Sequence, residues 1–252
     1  GEPPREPAGE PVTLAIDSIA AGGDGVGRAG GLVVFVPRTA PGDEVRARVV
    51  PAGRMARGVV ESVVRPSGAR VEPPCPHYVA DRCGGCQLQH LAYDAQLAAK
   101  RGMVEDALAR IGRRRVELPP VHRSPADWRY RRKLTLALRR RGGAWIAGLH
   151  AYDRPGAVFA LRDCPITDER VVAVWRGVLA AAEHLPRDAR ELRGAVRLLD
   201  DGAAFTLEGG TRWAGAEAFF DAVPALRALW WVPEGRARRL LHDRRAEAVP
   251  GA

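Results

Sequence analysis

The stretch Pro73-Pro-Cys-Pro-His-Tyr-Val-Ala-Asp-Arg-Cys-Gly-Gly-Cys-Gln-Leu-Gln-His-Leu91 holds three of the four cysteines in the chain. Cys83 follows Cys75 after seven intervening residues and Cys86 follows after two more, whereas Cys164 lies far downstream. Cys75 and Cys164 are each followed by proline. The glycines of Cys83-Gly-Gly-Cys86 let that loop bend tightly, and Cys75 approaches on a proline-stiffened arm. Soft thiolates in such an arrangement select zinc or an iron–sulfur cluster, and spacing alone does not decide between them. A disulfide framework is a habit of small secreted chains, and this chain is long and poor in cysteine. A redox pair of Cys83 and Cys86 would leave the two Cys-Pro sites unexplained.

A chain of 252 residues with 46% apolar content has enough material for one large or two small cores. No apolar run is long enough to cross a bilayer and no signal peptide opens the sequence, so a cytoplasmic location is the expectation. The formal charge is +9, carried mostly by arginine. Arginine's planar fork suits phosphate, so an acidic polymer is the natural partner, although a GC-rich genome also favours arginine and alanine.

Residues 1–10 read as a disordered tail rich in proline and glutamate. Residues 11–66 read as all-β: Val12, Leu14 and Ile16 alternate with polar or small residues, Leu32–Val36 forms a second strand, and Val45, Ala47 and Val49 mark a third. Arg57–Val64 is a fourth, and the glycine run from Gly22 to Gly27 is a turn. Short strands joined by Gly/Pro turns predict a small barrel of the OB type.

A helix is expected from Leu88 to Ile111, with Leu97, Val104, Leu108 and Ile111 as its buried stripe. His77 and His90 stand beside the cysteines, where packing or capping is the expected role. Beyond Val116 strands and helices alternate: Leu134–Leu138, Trp145–Leu149 and Ala157–Leu161 as a meander, then a helix over 167–183 and a hairpin across Asp201-Gly202. A helix from Ala214 to Ala228, the strand Leu229–Val232 and a last strand Arg238–Leu241 complete an α+β domain with a mostly antiparallel sheet. At least one of Trp230 and Trp231 is expected in the core. Trp128-Arg-Tyr-Arg-Arg-Lys133 interleaves aromatics with cations, which suits single-stranded RNA, or is a strand start with a solvated basic edge.

Cys75-Pro-His-Tyr, Cys83-Gly-Gly-Cys-Gln-Leu-Gln-His-Leu, Tyr93, Gln96 and the Ser124-Pro125 to Lys133 segment together resemble the RNA uracil-C5 methyltransferase family. The likeness is greatest to its 23S ribosomal RNA members that carry a [4Fe-4S] cluster, and it runs from about Pro11 to the end of the chain. The resemblance implies that Cys75, Cys83, Cys86 and Cys164 are the cluster ligands. Gly22–Gly27, Arg28 and the Val33–Asp43 stretch look like the TRAM domain of RNA-modifying enzymes, which implies that Arg28, Arg38, Arg46 and Arg48 of the barrel face RNA. It likewise implies RNA contact for Trp128, Arg129, Tyr130, Arg131, Arg132 and Lys133.

The implied domain plan is a TRAM barrel over 11–66, then an iron–sulfur-binding central domain over 67–252, working as a monomer. Enzymes of this family add a cysteine to C6 of uracil so that C5 attacks the methyl group of S-adenosylmethionine, and a base then removes the C5 proton. With all four cysteines assigned to the cluster and no strand–glycine-loop–helix unit for a nucleotide cofactor, no catalytic residue is assigned. The chain reads as a fragment that ends before the methyltransferase domain. It is expected to bind RNA and the cluster without catalysing. Free-standing RNA-binding modules with a structural iron–sulfur or zinc site are the alternatives.

Overall fold

The computed structural model describes residues 11–244; the tail expected over 1–10 lies outside the described residues. The chain forms two compact units. One comprises the residues up to Pro74 together with Cys86–Arg123, the other Cys75–Gly85 together with the residues from Ser124 onward.

The first unit is a closed five-stranded barrel in the order β1-β2-β3-β5-β4. Its strands are β1 (Pro11–Ile19), β2 (Gly25–Ala29), β3 (Leu32–Val36), β4 (Glu44–Ala52) and β5 (Met55–Arg65). Only β3 and β5 pair in parallel. Leu14, Ile16, Val34, Val36, Val45, Ala47 and Ala56 fill the interior at the alternate positions that a pleated strand turns inward.

The expected strands are present, and β2 is an addition that the glycine run concealed. The turn occupies only the start of that run, where the Gly23 N–H donates to Ala20 O and Gly23 has a φ of +88°. Gly25 and Gly27 belong to a strand instead. A Cβ at Gly25 would stand 2.0 Å from Thr39 Oγ1, and one at Gly27 2.4 Å from Ala15 O. These glycines allow close approach rather than bending.

One carboxylate ties the barrel to the chain that leaves it. Asp43 is 1% exposed. It accepts the backbone N–H groups of Ala40 (2.6 Å) and Ser67 (2.8 Å) and a forked pair of bonds from Arg70. Arg70 also donates to Arg38 O. Beside it, His90 donates from Nε2 to Thr39 O at 3.0 Å, and Ile19, Ala40 and Leu91 form a second small core.

Two helices come next in the chain, the short α1 (Pro76–Ala80), which belongs to the second unit, and α2 (Tyr93–Arg110), which belongs to the first. The stripe of α2 expected to be buried is not: Val104 is 49% and Ile111 84% exposed. Ala95, Ala99 and Met103, spaced by four, pack on the Ile19–Ala40–Leu91 core instead. Small alanines carry little weight in a hydrophobic pattern, yet they let the helix sit close.

The second unit is a seven-stranded sheet in the order β12-β11-β10-β9-β6-β7-β8. It comprises β6 (Lys133–Arg141), β7 (Ala144–Ala151), β8 (Arg154–Ala160), β9 (Glu191–Leu198), β10 (Ala203–Glu208), β11 (Leu226–Val232) and β12 (Arg239–Asp243). All neighbours are antiparallel except β10 and β11. Helices α3 (Glu169–Ala180) and α4 (Ala216–Ala222) are inserted between its strands.

Helix α4 stops six residues before the expected end. Val223 leaves helical geometry, Pro224 cannot donate to the preceding turn, and Leu226–Ala228 enter the sheet. The core is aromatic: Trp175 meets Phe205 edge-on at 5.7 Å between centroids, Phe205 meets Phe219 at 5.4 Å, and Trp213 meets Phe219 at 5.3 Å. Each core indole N–H reaches a carbonyl, from Trp175 to Leu134, Trp213 to His184 and Trp231 to Gly209. Trp231 is buried, as expected for at least one of that pair, while Trp230 is half-buried beneath Arg238.

Two stability measurements test this packing. A Cβ at Gly194 would stand 2.5 Å from the Trp175 ring and 2.9 Å from Phe205. Urea unfolding of Gly194→Ala should therefore show a loss of about 1–3 kcal/mol. Asp43→Asn, which leaves Arg70 with half a partner, should cost about 3 kcal/mol. Burial opposes the Asp43 charge, but Arg70 and the two backbone donors outweigh it and hold the carboxyl below its ordinary value. The stabilisation is complete above the unfolded value of about 4 and is lost as pH falls through the folded one. Burial also holds His90 below its ordinary value, so it too opposes acidification, beginning near pH 6.5. Wild-type unfolding followed from pH 7 to 3 should show both limbs, and Asp43→Asn should weaken the lower one without removing it, since Asp163 and Asp168 are also held below the ordinary value.

Candidate functional site

The four cysteines are not in disulfides. Cys75, Cys83 and Cys164 belong to the second unit and are buried; Cys86 opens the segment that groups with the first and is half-buried. Cys75 is the N-cap of α1, with Pro76 supplying the fixed φ of a first helical position. The chain after α1 returns beside β7: the Gly84 N–H donates to His150 O and the Tyr152 N–H to Arg82 O, which sets Cys83 opposite Ala151.

Gly85 donates its N–H to Cys83 Sγ at 3.4 Å. Cys164 opens a turn closed by the Thr167 N–H to Cys164 O, and the hydroxyl of fully buried Thr167 has no partner among the described residues. Within the second unit, three buried thiols, an amide aimed at one sulfur and an orphan hydroxyl in the turn of another are chemistry that suits a soft, anionic, sulfur-ligated group. Among the described residues, no group of three or more His, Cys, Asp or Glu side chains is placed to hold a metal ion.

His77 is 1% exposed and has both ring nitrogens engaged. The Arg162 backbone N–H donates to Nε2 at 3.1 Å, which assigns the ring proton to Nδ1, directed at Asp81 Oδ2 2.6 Å away. The ring also stacks on Phe159 at 5.1 Å. No lone pair is left for a metal, so its role is packing and anchoring. The spacing of His77 and Asp81, one helical turn apart, was the available signal for this pair.

Arg129 stands apart from its neighbours in the basic segment. It takes a left-handed φ of 58° and places both terminal nitrogens on Asp163, each at 2.9 Å. It also donates to the carbonyls of Cys164 and Thr167, so it clamps the cysteine turn instead of facing solvent. Its fork holds Asp163 below the usual carboxylate range. The backbone of Arg131 then runs alongside Ile166–Asp168. Tyr130 is 52% exposed. Arg131 and Lys133 are exposed and lack an acidic partner among the described residues, and Arg132 reaches Asp200 only at 3.8 Å. Trp128 is half-buried.

The barrel arginines divide as well. Arg46 and Arg48 on β4 both lean on Glu61 of β5, at 3.4 and 2.7 Å. Arg38 is half-buried in the left-handed region at φ 60°, and its carbonyl accepts from Arg70. Arg28 on β2 is exposed and has no acidic partner among the described residues. The cross-strand carboxylate of Glu61 is the element that strand alternation alone did not expose.

No family model matches the chain. It is 46% identical over 182 residues to an uncharacterized RNA methyltransferase of Thermosynechococcus vestitus, an alignment covering 71% of this chain and 39% of that protein. It is 35% identical over 192 residues to one of Listeria monocytogenes and 36% over 191 residues to one of Halalkalibacterium halodurans; each covers 74% of this chain and 41% of the relative. The chain thus spans about two fifths of the length of these curated relatives, and the proteins it is similar to are named RNA methyltransferases.

Proposed function

We propose that this chain is the RNA-recognising part of an S-adenosylmethionine-dependent RNA methyltransferase of the uracil-C5 type, acting on 23S ribosomal RNA. The observation that carries the reading is the 46% identity to a protein named an RNA methyltransferase, over 71% of the chain. The cysteine and Trp128–Lys133 motifs carry the finer likeness to the uracil-C5 enzymes. The TRAM reading of the barrel adds Arg28, an exposed cation with no acidic partner among the described residues. Binding falls to Arg28 and to Tyr130, Arg131, Arg132 and Lys133, which the structure leaves exposed; Arg46 and Arg48 would first have to leave Glu61. The cofactor of methyl transfer has no residue assigned to it here, and this chain is proposed to bind without catalysing.

Cys75, Cys83, Cys86 and Cys164 would hold a [4Fe-4S] cluster, to which the Gly85 amide and the Thr167 hydroxyl are suited as donors. When bound, the cluster supplies a cross-link between sequence-distant thiolates. Arg129 keeps the Cys164 turn closed, and His77 holds the chain between Cys75 and Cys83 against Arg162. Binding must itself draw the sulfurs into a ligand set, which couples it to folding.

Protein purified without oxygen should be brown, with about four irons per chain. Cys164→Ala should lose iron and stability together. A colourless protein with stoichiometric zinc would assign the thiols to zinc.

RNA binding has its own test. Tyr130→Ala should cost about 1–3 kcal/mol of affinity for single-stranded RNA with little change in salt dependence, as a stacking platform does. Arg131→Ala with Arg132→Ala should lower the salt slope by about 0.7 for each phosphate that the two arginines neutralise in the wild type. Equal affinity for RNA, duplex DNA and heparin, unmoved by Tyr130→Ala, would reduce the segment to a solvated edge.

A further inference from the structure

The second unit carries a basic depression that none of the motifs announces. It encloses about 620 Å³ between the end of α1, the end of β6 and the β7–β8 hairpin. Arg82, Arg141, Arg154 and Arg162 line it, brought together from three separate stretches of chain. Their employment differs. Arg82 is paired with Asp153 at 3.1 Å, and Arg141 donates to Val158 O at 3.3 Å. Arg154 and Arg162 are both exposed, and neither has an acidic partner among the described residues.

The one acid in the lining, Asp81, is already engaged by the Nδ1–H of His77. Phe159, Val158 and four alanines share the lining with the arginines. The anchoring of Arg162 is also specific. Its backbone N–H is fixed to the buried His77 ring, so its side chain springs from a rigid point. Guanidinium groups sharing one depression repel one another, and that repulsion is relieved by an anion.

We propose that this depression is a second RNA contact, in which Arg154 and Arg162 hold consecutive phosphates of a single strand and the sugar between them lies against Phe159. The assignment rests on the RNA reading above and is separable from it. It differs from the Tyr130–Lys133 segment in that no base needs to stack, so its contribution should be electrostatic alone.

The test is a fluorescence-anisotropy titration of the full chain with a single-stranded RNA at 0.1 M and 0.3 M salt, comparing wild type, Arg154→Ala with Arg162→Ala, and Arg154→Gln with Arg162→Gln. Circular dichroism would confirm that each variant is folded. Removing the cations from two phosphates should lower the salt slope by about 1.4, which amounts to about 25-fold weaker binding at 0.1 M salt. The glutamine pair, which keeps bulk and polarity, should match the alanine pair.

Unchanged affinity and slope in both variants, with wild type binding normally, would overturn the depression as an RNA site and leave the function above intact. A wild-type chain that binds no RNA would overturn both. Inorganic phosphate is the second probe: saturable binding that the double variants abolish, with RNA affinity unaffected, would make this a small-anion site and refute the RNA assignment.

Discussion

A buried carboxylate is tolerated only where its charge is answered in full, and Asp43 sets that condition for the whole first unit. Its two oxygens meet two backbone amides and the fork of Arg70, and Arg70 in turn closes on the carbonyl of Arg38. The loop before β4, the exit from β5 and the approach to His90 are thereby fixed relative to one another by one charge pair. Breaking any member leaves a desolvated charge behind, a larger penalty than the loss of one surface bond. The buried His90 adjoining this pair adds a second group whose protonation burial disfavours, so acid costs the fold stability there too. The barrel's hydrophobic interior gives it mass, and this polar knot gives the emerging chain its direction.

The same demand for partners engages several of the basic side chains among the described residues. Arg129, Arg70, Arg46 and Arg48 are engaged by neighbouring carboxylates. Arg239 lies over the ring of Trp231 and Arg244 over that of Phe220. Net charge therefore overstates the binding surface. The exposed cations without an acidic partner among the described residues include Arg28 on the barrel, Arg131 and Lys133, and Arg154 and Arg162 beside the β7–β8 hairpin, but also Arg54, Arg113 and Arg197 elsewhere.

The barrel and the mostly antiparallel sheet were legible because strand alternation is a strong signal. Leu14 and Ile16, or Leu134, Leu136 and Leu138, face inward as their spacing requires. Where the sequence misled, the reason is specific. Glycines at 25 and 27 were ambiguous between bending and close approach, so β2 was hidden. Alanines at 95 and 99 are weak hydrophobic markers, so the larger residues of α2 drew the eye to its exposed face. The arginines of the candidate site were legible as a group but not one by one, since the partners of Arg48 and Arg129 lie on other elements. The Asp81 partner of His77 stood four residues away and was open to view.

The route of the chain has a consequence for how such a barrel can be inherited. Chain from one unit interrupts the other, since 75–85 belong with the sheet while 86–123 belong with the barrel. A gene segment ending with β5 would encode every strand of the barrel yet omit Arg70, stranding the Asp43 charge, and would omit Leu91, uncovering Ile19 and Ala40. The barrel is closed as a sheet but open as a unit of exchange. Recombination that moves it intact must carry the cysteine loop along, so the two histories are bound together by a carboxylate well away from any thiol in the sequence.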